Sequence, residues 1–159
     1  MIFVTLGTQD KPFVRLLEAV NKAVTDGIIK DEVIVQAGCT KYLSDKMKLF
    51  DLIDRDKFDE YIEKCDLLIT HGGVGSIIAG LKKGKKVISV ARLAKFKEHV
   101  NDHQKQIIQS FDELGYIVGC TNETIKIGEL IEKAKKLKPK KYVSNNKKMI
   151  KLVEDFIDN

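Results

Sequence analysis

Short apolar runs that end in glycine alternate along this chain with amphipathic stretches of helical period. Ile2 to Leu6 is the first run; closed by Gly7-Thr8-Gln9, it predicts a buried strand and a turn. Pro12 then suits the first turn of a helix whose inner face is Phe13, Leu16, Leu17, Val20 and Val24. Val33 to Ala37, ended by Gly38, repeats the strand signal. Asp56 predicts the cap of a short helix reaching Lys64, which feeds a strand at Leu67 to Thr70.

After the block Thr70-His71-Gly72-Gly73-Val74-Gly75-Ser76 the pattern predicts a helix over 76–83, stopped by Gly84, and a strand from Lys86 to Ala91. Asn101 to Leu114 reads as a helix on Ile107, Ile108, Phe111 and Leu114, followed by Gly115 and a short strand at Tyr116 to Val118. Two helices close the chain, Thr124 to Leu137 and Ser144 to Ile157, with Pro139 and a lysine cluster between them. Residues 39–55 show no clear period and read as a loop with a short strand near Lys48 to Leu52. Strands alternating with helices call for an α/β fold, a single Rossmann-like, doubly wound and mostly parallel sheet. The 159 residues suffice for one such domain, with 1–138 as its core and 139–159 as linker and final helix.

Composition narrows the classes. The apolar runs are too short to span a membrane, and residues 1–10 lack a basic stretch leading into an apolar one, so neither secretion nor membrane insertion is expected. Cys39, Cys65 and Cys120 form no CxxC pair and are expected as reduced thiols. The net charge of +5 is almost wholly lysine, and with 7% aromatic residues and no Trp there is little to stack on bases, so nucleic acid is not an expected partner.

The glycine block carries the chemistry. It sets a side-chain-poor turn between a strand and a helix, where backbone amides reach a ligand closely under the positive end of the helix dipole. That is an anion site, most naturally for phosphate. His71 beside it can act as a neutral imidazole near pH 7. Neither a GxGxxG fingerprint nor a P-loop is present, since Gly75 is followed by Ser76-Ile77-Ile78 and no Ser or Thr follows the lysines after Gly84. His99 and His103 would share a helical face beside Asp102, but Val100 stands where HExxH needs its glutamate, so no metal is expected.

Taken together, His71-Gly72-Gly73-Val74-Gly75-Ser76, Gly84-Lys85-Lys86-Val87-Ile88, Asp102-His103-Gln104 and Gly115-Tyr116-Ile117 resemble the C-terminal, donor-binding half of the GT-B glycosyltransferases of family 28. The opening Val4-Thr5-Leu6-Gly7-Thr8-Gln9 extends the likeness over residues 1 to about 118. Within the family it is similar to short, free-standing subunits: the catalytic subunit of the two-part N-acetylglucosaminyltransferase acting on dolichol-linked sugar, and bacterial subunits of capsule and exopolysaccharide synthesis. The stretch from Ala91 to Gln104 looks closest to the bacterial branch.

This resemblance implies a UDP-sugar donor, inverting transfer without a metal or other cofactor, and a second half supplied by another protein. Gly7 and Thr8 would line the diphosphate or the cleft floor, and Gly72, Gly73, Gly75 and Ser76 would offer it their amides. His103 and Gln104 would face the donor sugar, with His99 and Asp102 ordering their loop and Arg92 adding positive charge. The partner would be membrane-anchored and bind a polyprenyl-diphosphate-linked sugar, holding this chain at the cytoplasmic face of the plasma membrane. Leu152 and Phe156, on the wide apolar stripe of the last helix, are the expected docking residues. The implied transfer is of a hexose or hexuronic acid in capsule or exopolysaccharide synthesis, against which stands a non-catalytic accessory subunit that binds a nucleotide sugar. Relatives often carry a carboxylate where this chain has Ala79 and a proline near Val90-Ala91. The catalytic base is left unassigned.

Overall fold

The computed structural model describes residues 1–138. Among them, β1 (Ile2–Thr5), β2 (Val33–Gln36), β3 (Lys48–Phe50), β4 (Leu67–His71), β5 (Lys86–Val90) and β6 (Val118–Cys120) form one parallel sheet in the order β3-β2-β1-β4-β5-β6. The helices are α1 (Val14–Thr25), α2 (Arg55–Lys64), α3 (Val74–Lys82), α4 (His103–Glu113) and α5 (Ile127–Lys136), with a 3₁₀ turn at Ala94–Phe96. The fold is the doubly wound α/β arrangement that the alternating pattern implies.

The two-residue period of the strands divides the core in two. Val4, Val35, Ile69 and Ile88 pack with Leu16, Leu17 and Val20 of α1 and Ile127 and Leu130 of α5. Their neighbours Phe3, Ile34, Leu68 and Val87 face the other way, onto Ile62 of α2, Ile77 and Leu81 of α3, and Ile107, Ile108 and Phe111 of α4. Each buried side chain of this kind contributes about 1.5–3 kcal/mol. Both faces are covered, as parallel strands require.

Gly80 lets α3 lie close on the sheet. A Cβ there would stand 2.7 Å from Leu68 Cδ2 and 2.8 Å from Val87 Cγ2, and both of those side chains are fully buried. Gly80→Ala is therefore expected to destabilise the domain by about 1–2 kcal/mol, overpacking outweighing alanine's better helix propensity. Denaturant unfolding reads this directly; a variant as stable as the parent would contradict the packing.

Element ends differ from the sequence pattern for local reasons. Phe13 stays outside the helical region at φ −132° and ψ 61°, its amide donating to Thr40 Oγ1 at 2.9 Å, so α1 begins at Val14 and Pro12 lies before it. Asp54 rather than Asp56 caps α2, accepting from the Lys57 amide at 2.8 Å. α3 starts two residues earlier than expected, directly after Gly73. Tyr116 is drawn back to the end of α4 by its amide bond to Phe111 O, which moves β6 to Val118–Cys120. α4 begins at His103 because Asn101 folds back on it, Asn101 Oδ1 accepting from the His103 amide.

Cys39, Cys65 and Cys120 are all free. No helix among the described residues is long and apolar enough to cross a membrane. The helix expected at Ser144 to Ile157, with Leu152 and Phe156, lies outside the described residues, as does the proposed linker.

Candidate functional site

Chain order reverses at β1, with β2 and β3 on one side of it and β4 to β6 on the other. The connections from β1 and β4 leave to opposite faces, to α1 and α3, and open a crevice at the carboxyl ends of the strands, where ligands of such sheets bind. A cavity of about 520 Å³ lies there. Thr5, Gly7, Thr8 and Gln9 line it from β1 and its turn, Gln36 from β2, and Leu52, Ile53, Arg55 and Phe58 from the approach to α2 and its first turn. His71, Gly73, Gly75, Ser76 and Ala79 complete the wall from β4 and α3.

His71 sits between two turns that only glycine permits. Gly7 has φ +75°, and a Cβ on it would collide with the imidazole; a Cβ on Gly73 would lie 2.6 Å from His71 Cε1. The ring fills the space that both turns leave, and it is 4% exposed. Gln104 fixes its tautomer. Gln104 Oε1 accepts from the Gly72 amide at 3.1 Å and the Arg92 amide at 3.0 Å, which turns its Nε2 towards His71 Nδ1, 3.4 Å away. Nδ1 must accept, so the proton is on Nε2, an assignment that rests on this network. Burial foremost, then the positive charge of Arg92 and the nearby His99, push the imidazole pKa down to about 3. His71 is a neutral N–H donor at every physiological pH.

The first turn of α3 adds more donors. Gly73 at the N-cap has no side chain to satisfy it, so the amides of Val74, Gly75 and Ser76 remain open at the positive end of the helix. No carboxylate lines the cavity, and its cation is Arg55, 87% exposed and 3.7 Å from Asp59. Gln36 braces the floor, its Nε2 donating to Gly7 O at 3.1 Å and to Asp51 O at 3.3 Å. Such a set, of backbone amides, one neutral imidazole and one exposed guanidinium, is chemically suited to a polyanion.

The cavity brings together Gly7, Thr8, His71, Gly73, Gly75 and Ser76 of the residues expected from the sequence. The others stand elsewhere. The Gly72 amide is spent on Gln104 Oε1 and is not offered to a ligand, a correction to the sequence reading. Gln104 is 3% exposed and acts as a staple between the glycine turn and the strand that follows. Arg92, 1% exposed, does not line the cavity: its guanidinium donates to the carbonyls of Leu6, Lys11 and Glu98. Asp102 Oδ1 accepts from the Ala94 amide and His99 Nδ1 from the Asn101 amide. His99 lies in the loop and His103 opens α4, so they do not share a helix face, and no three potential metal ligands cluster among the described residues.

Arg55, Phe58, Leu52 and Ile53 were missed as site residues. Their signal was an apolar pair between Asp51 and Asp54 just ahead of a helix, and Leu52 is 65% exposed.

Known proteins resemble the chain in sequence and in fold. It is 40% identical over 70 residues to the UDP-N-acetylglucosamine transferase subunit ALG13 of Candida glabrata, covering 44% of this chain and 33% of that protein. Against the Saccharomyces cerevisiae subunit of that name identity is 36% over 76 residues, 46% of this chain and 36% of the other. Against the human one it is 33% over 67 residues, 42% and 6%. The chain thus spans about a third or less of the length of these relatives. An NMR structure of ALG13 superposes with TM-score 0.60 at 23% identity, over 99% of this chain and 96% of that one. The glycotransferase of kitacinnamycin gives TM-score 0.63 at 16% identity, over 84% and 34%. These two likenesses speak for the fold. The profile of the glycosyltransferase family 28 C-terminal domain matches residues 1–159, and the chain belongs to that family.

Proposed function

We propose that this chain is the donor-binding subunit of a two-part inverting glycosyltransferase that takes its sugar from UDP. One observation carries the reading: the first turn of α3, His71 and Arg55 converge on a crevice without a carboxylate, in a domain of this family. The diphosphate would sit on the α3 amides and the His71 N–H, and the uracil against Leu52, Ile53 and Phe58. In transfer the bond from C1 of the sugar to the diphosphate breaks while an acceptor hydroxyl bonds to C1. Charge grows on the leaving diphosphate, where preorganised donors act most strongly. No metal is needed for that role here.

The acceptor's proton needs a base that this cavity does not offer, because its imidazole takes up a second proton only below pH of about 3 and it has no carboxylate. A partner would supply that base and the acceptor site, and the relatives' name, a transferase subunit, agrees. We place this partner at the cytoplasmic face of a membrane, with a polyprenyl-diphosphate-linked sugar as acceptor. Capsule or exopolysaccharide synthesis, with a hexose or hexuronic acid transferred, is the setting we favour. The relatives' name makes UDP-N-acetylglucosamine the first nucleotide sugar to try. The missing base also leaves room for an accessory subunit that binds donor while the partner catalyses.

Calorimetric titration of the chain with UDP and UDP-sugars, with and without chelator, tests the proposal. Saturable, chelator-resistant binding is expected, weakened about 10- to 100-fold in His71→Ala by loss of a hydrogen bond to a charged group. No binding to a folded chain, or equal binding by the variant, would overturn the assigned site. A fall in kcat at saturating donor for the partnered His71→Ala chain would speak against the accessory role, which predicts a change in KM alone.

A further inference from the structure

Resting on the donor site proposed above, the covalent order of a nucleotide fixes where its ribose falls. With the diphosphate on the first turn of α3 and the base against Leu52, Ile53 and Phe58, the sugar ring between them lies over Ser76 and Ala79. Those two residues are three apart on α3 and so share one face of the helix. Proteins that read the ribose hydroxyls do so with a carboxylate, whose charge-assisted acceptance is about twice as strong as a neutral contact. At this height the wall offers the methyl group of Ala79 and one neutral hydroxyl, that of Ser76. The nearby Thr5 hydroxyl is already spent, donating to Gln36 Oε1 at 2.5 Å.

We infer that the site does not read the 2′-hydroxyl and therefore admits 2′-deoxynucleoside diphosphate donors, thymidine diphosphate sugars included, beside UDP-sugars. A thymine methyl would meet the apolar side of Leu52, Ile53 and Phe58, where added apolar contact is favourable. Donor choice is thereby set by the diphosphate and the base, and the ribose contributes little.

Titration of the chain with UDP, dUDP and dTDP tests this. The Kd values for UDP and dUDP should agree within about threefold, with dTDP equal or tighter. Ala79→Glu should separate UDP from dUDP by about tenfold in favour of UDP, as a carboxylate gains the 2′-hydroxyl. A larger than threefold preference for UDP in the unaltered chain overturns the inference and leaves the donor site standing. An Ala79→Glu chain that binds nucleotide but does not discriminate overturns the placement of the ribose. Failure of all three nucleotides to bind a folded chain overturns the donor-site reading, and this inference with it.

Discussion

Between pH 6.5 and about pH 4 the folded domain is expected to lose about 3 kcal/mol of stability through His71 alone. The native imidazole has its pKa pushed down to about 3 by burial, with Arg92 and His99 adding to the effect. In the unfolded chain it returns to about 6.5 and takes up a proton as the pH falls through that value. The unfolded state then binds more protons than the native one, so stability is complete above pH 6.5 and falls by about 1.4 kcal/mol per pH unit below it, until the native ring itself titrates. Urea unfolding at a series of pH values, with His71→Asn as reference, isolates this contribution. The variant's stability should fall less steeply over the same interval; parallel curves would mean that His71 gains its proton inside the fold. By the same argument, protonation of His71 does not alter nucleotide affinity between pH 5 and 8.

The second large effect is at Glu98, whose side chain is 5% exposed. Its carboxylate receives both Nε and Nη2 of Arg15, at 3.1 and 2.9 Å, and the Leu93 amide at 3.0 Å. Arg15 in turn reaches the carbonyls of Ala91, Asn122 and Glu123, so one ion pair ties α1 to the connections after β5 and β6. Arg92 lies beside it, its guanidinium 5.1 Å from the Phe13 ring centre. Glu98→Ala removes a buried carboxylate that pairs with Arg15 and lies near Arg92, and it strands the Leu93 amide. A loss of about 3–5 kcal/mol is expected, the cost of leaving a buried charge unpaired. Glu98→Gln keeps an acceptor for Leu93 and should lose less. Denaturant midpoints at constant m-value give both numbers, and a loss below about 1 kcal/mol for Glu98→Ala would show that water reaches Arg15.

Most of the sheet was legible because its central strands are buried on both faces. Val33–Val35 and Leu67–Ile69 within β2 and β4 read as continuous apolar runs and need no partner to be recognised. Lys48–Phe50 is an edge strand of three residues with an exposed, half-buried, exposed pattern; it forms where a short strand is expected near Lys48 to Leu52, but so little periodicity leaves its bounds hard to read. The glycine-turn half of the site was equally plain, since His71, Gly73, Gly75 and Ser76 fall within six consecutive residues and carry their geometry with them. Its other wall was not, because Arg55 and Phe58 reach the cavity only through the placing of β3 and α2 beside β1, a fact of topology rather than of local sequence. Gln104 and Arg92 misled for a related reason. Polar side chains near a crevice look like ligand contacts in a sequence, whereas here both are consumed by backbone groups that the loops would otherwise leave unsatisfied.

The imidazole wedged between the two glycine turns also constrains how the site can change over evolutionary time. Gly73 has an ordinary φ of −76°, so the ring alone stands in the way of a side chain there. A lineage must first shrink His71 before it can accept even a methyl group at position 73; taken in the opposite order, the same two steps pass through a clash. Gly7, held at φ +75°, gains no such freedom from a smaller neighbour and stays glycine on either route.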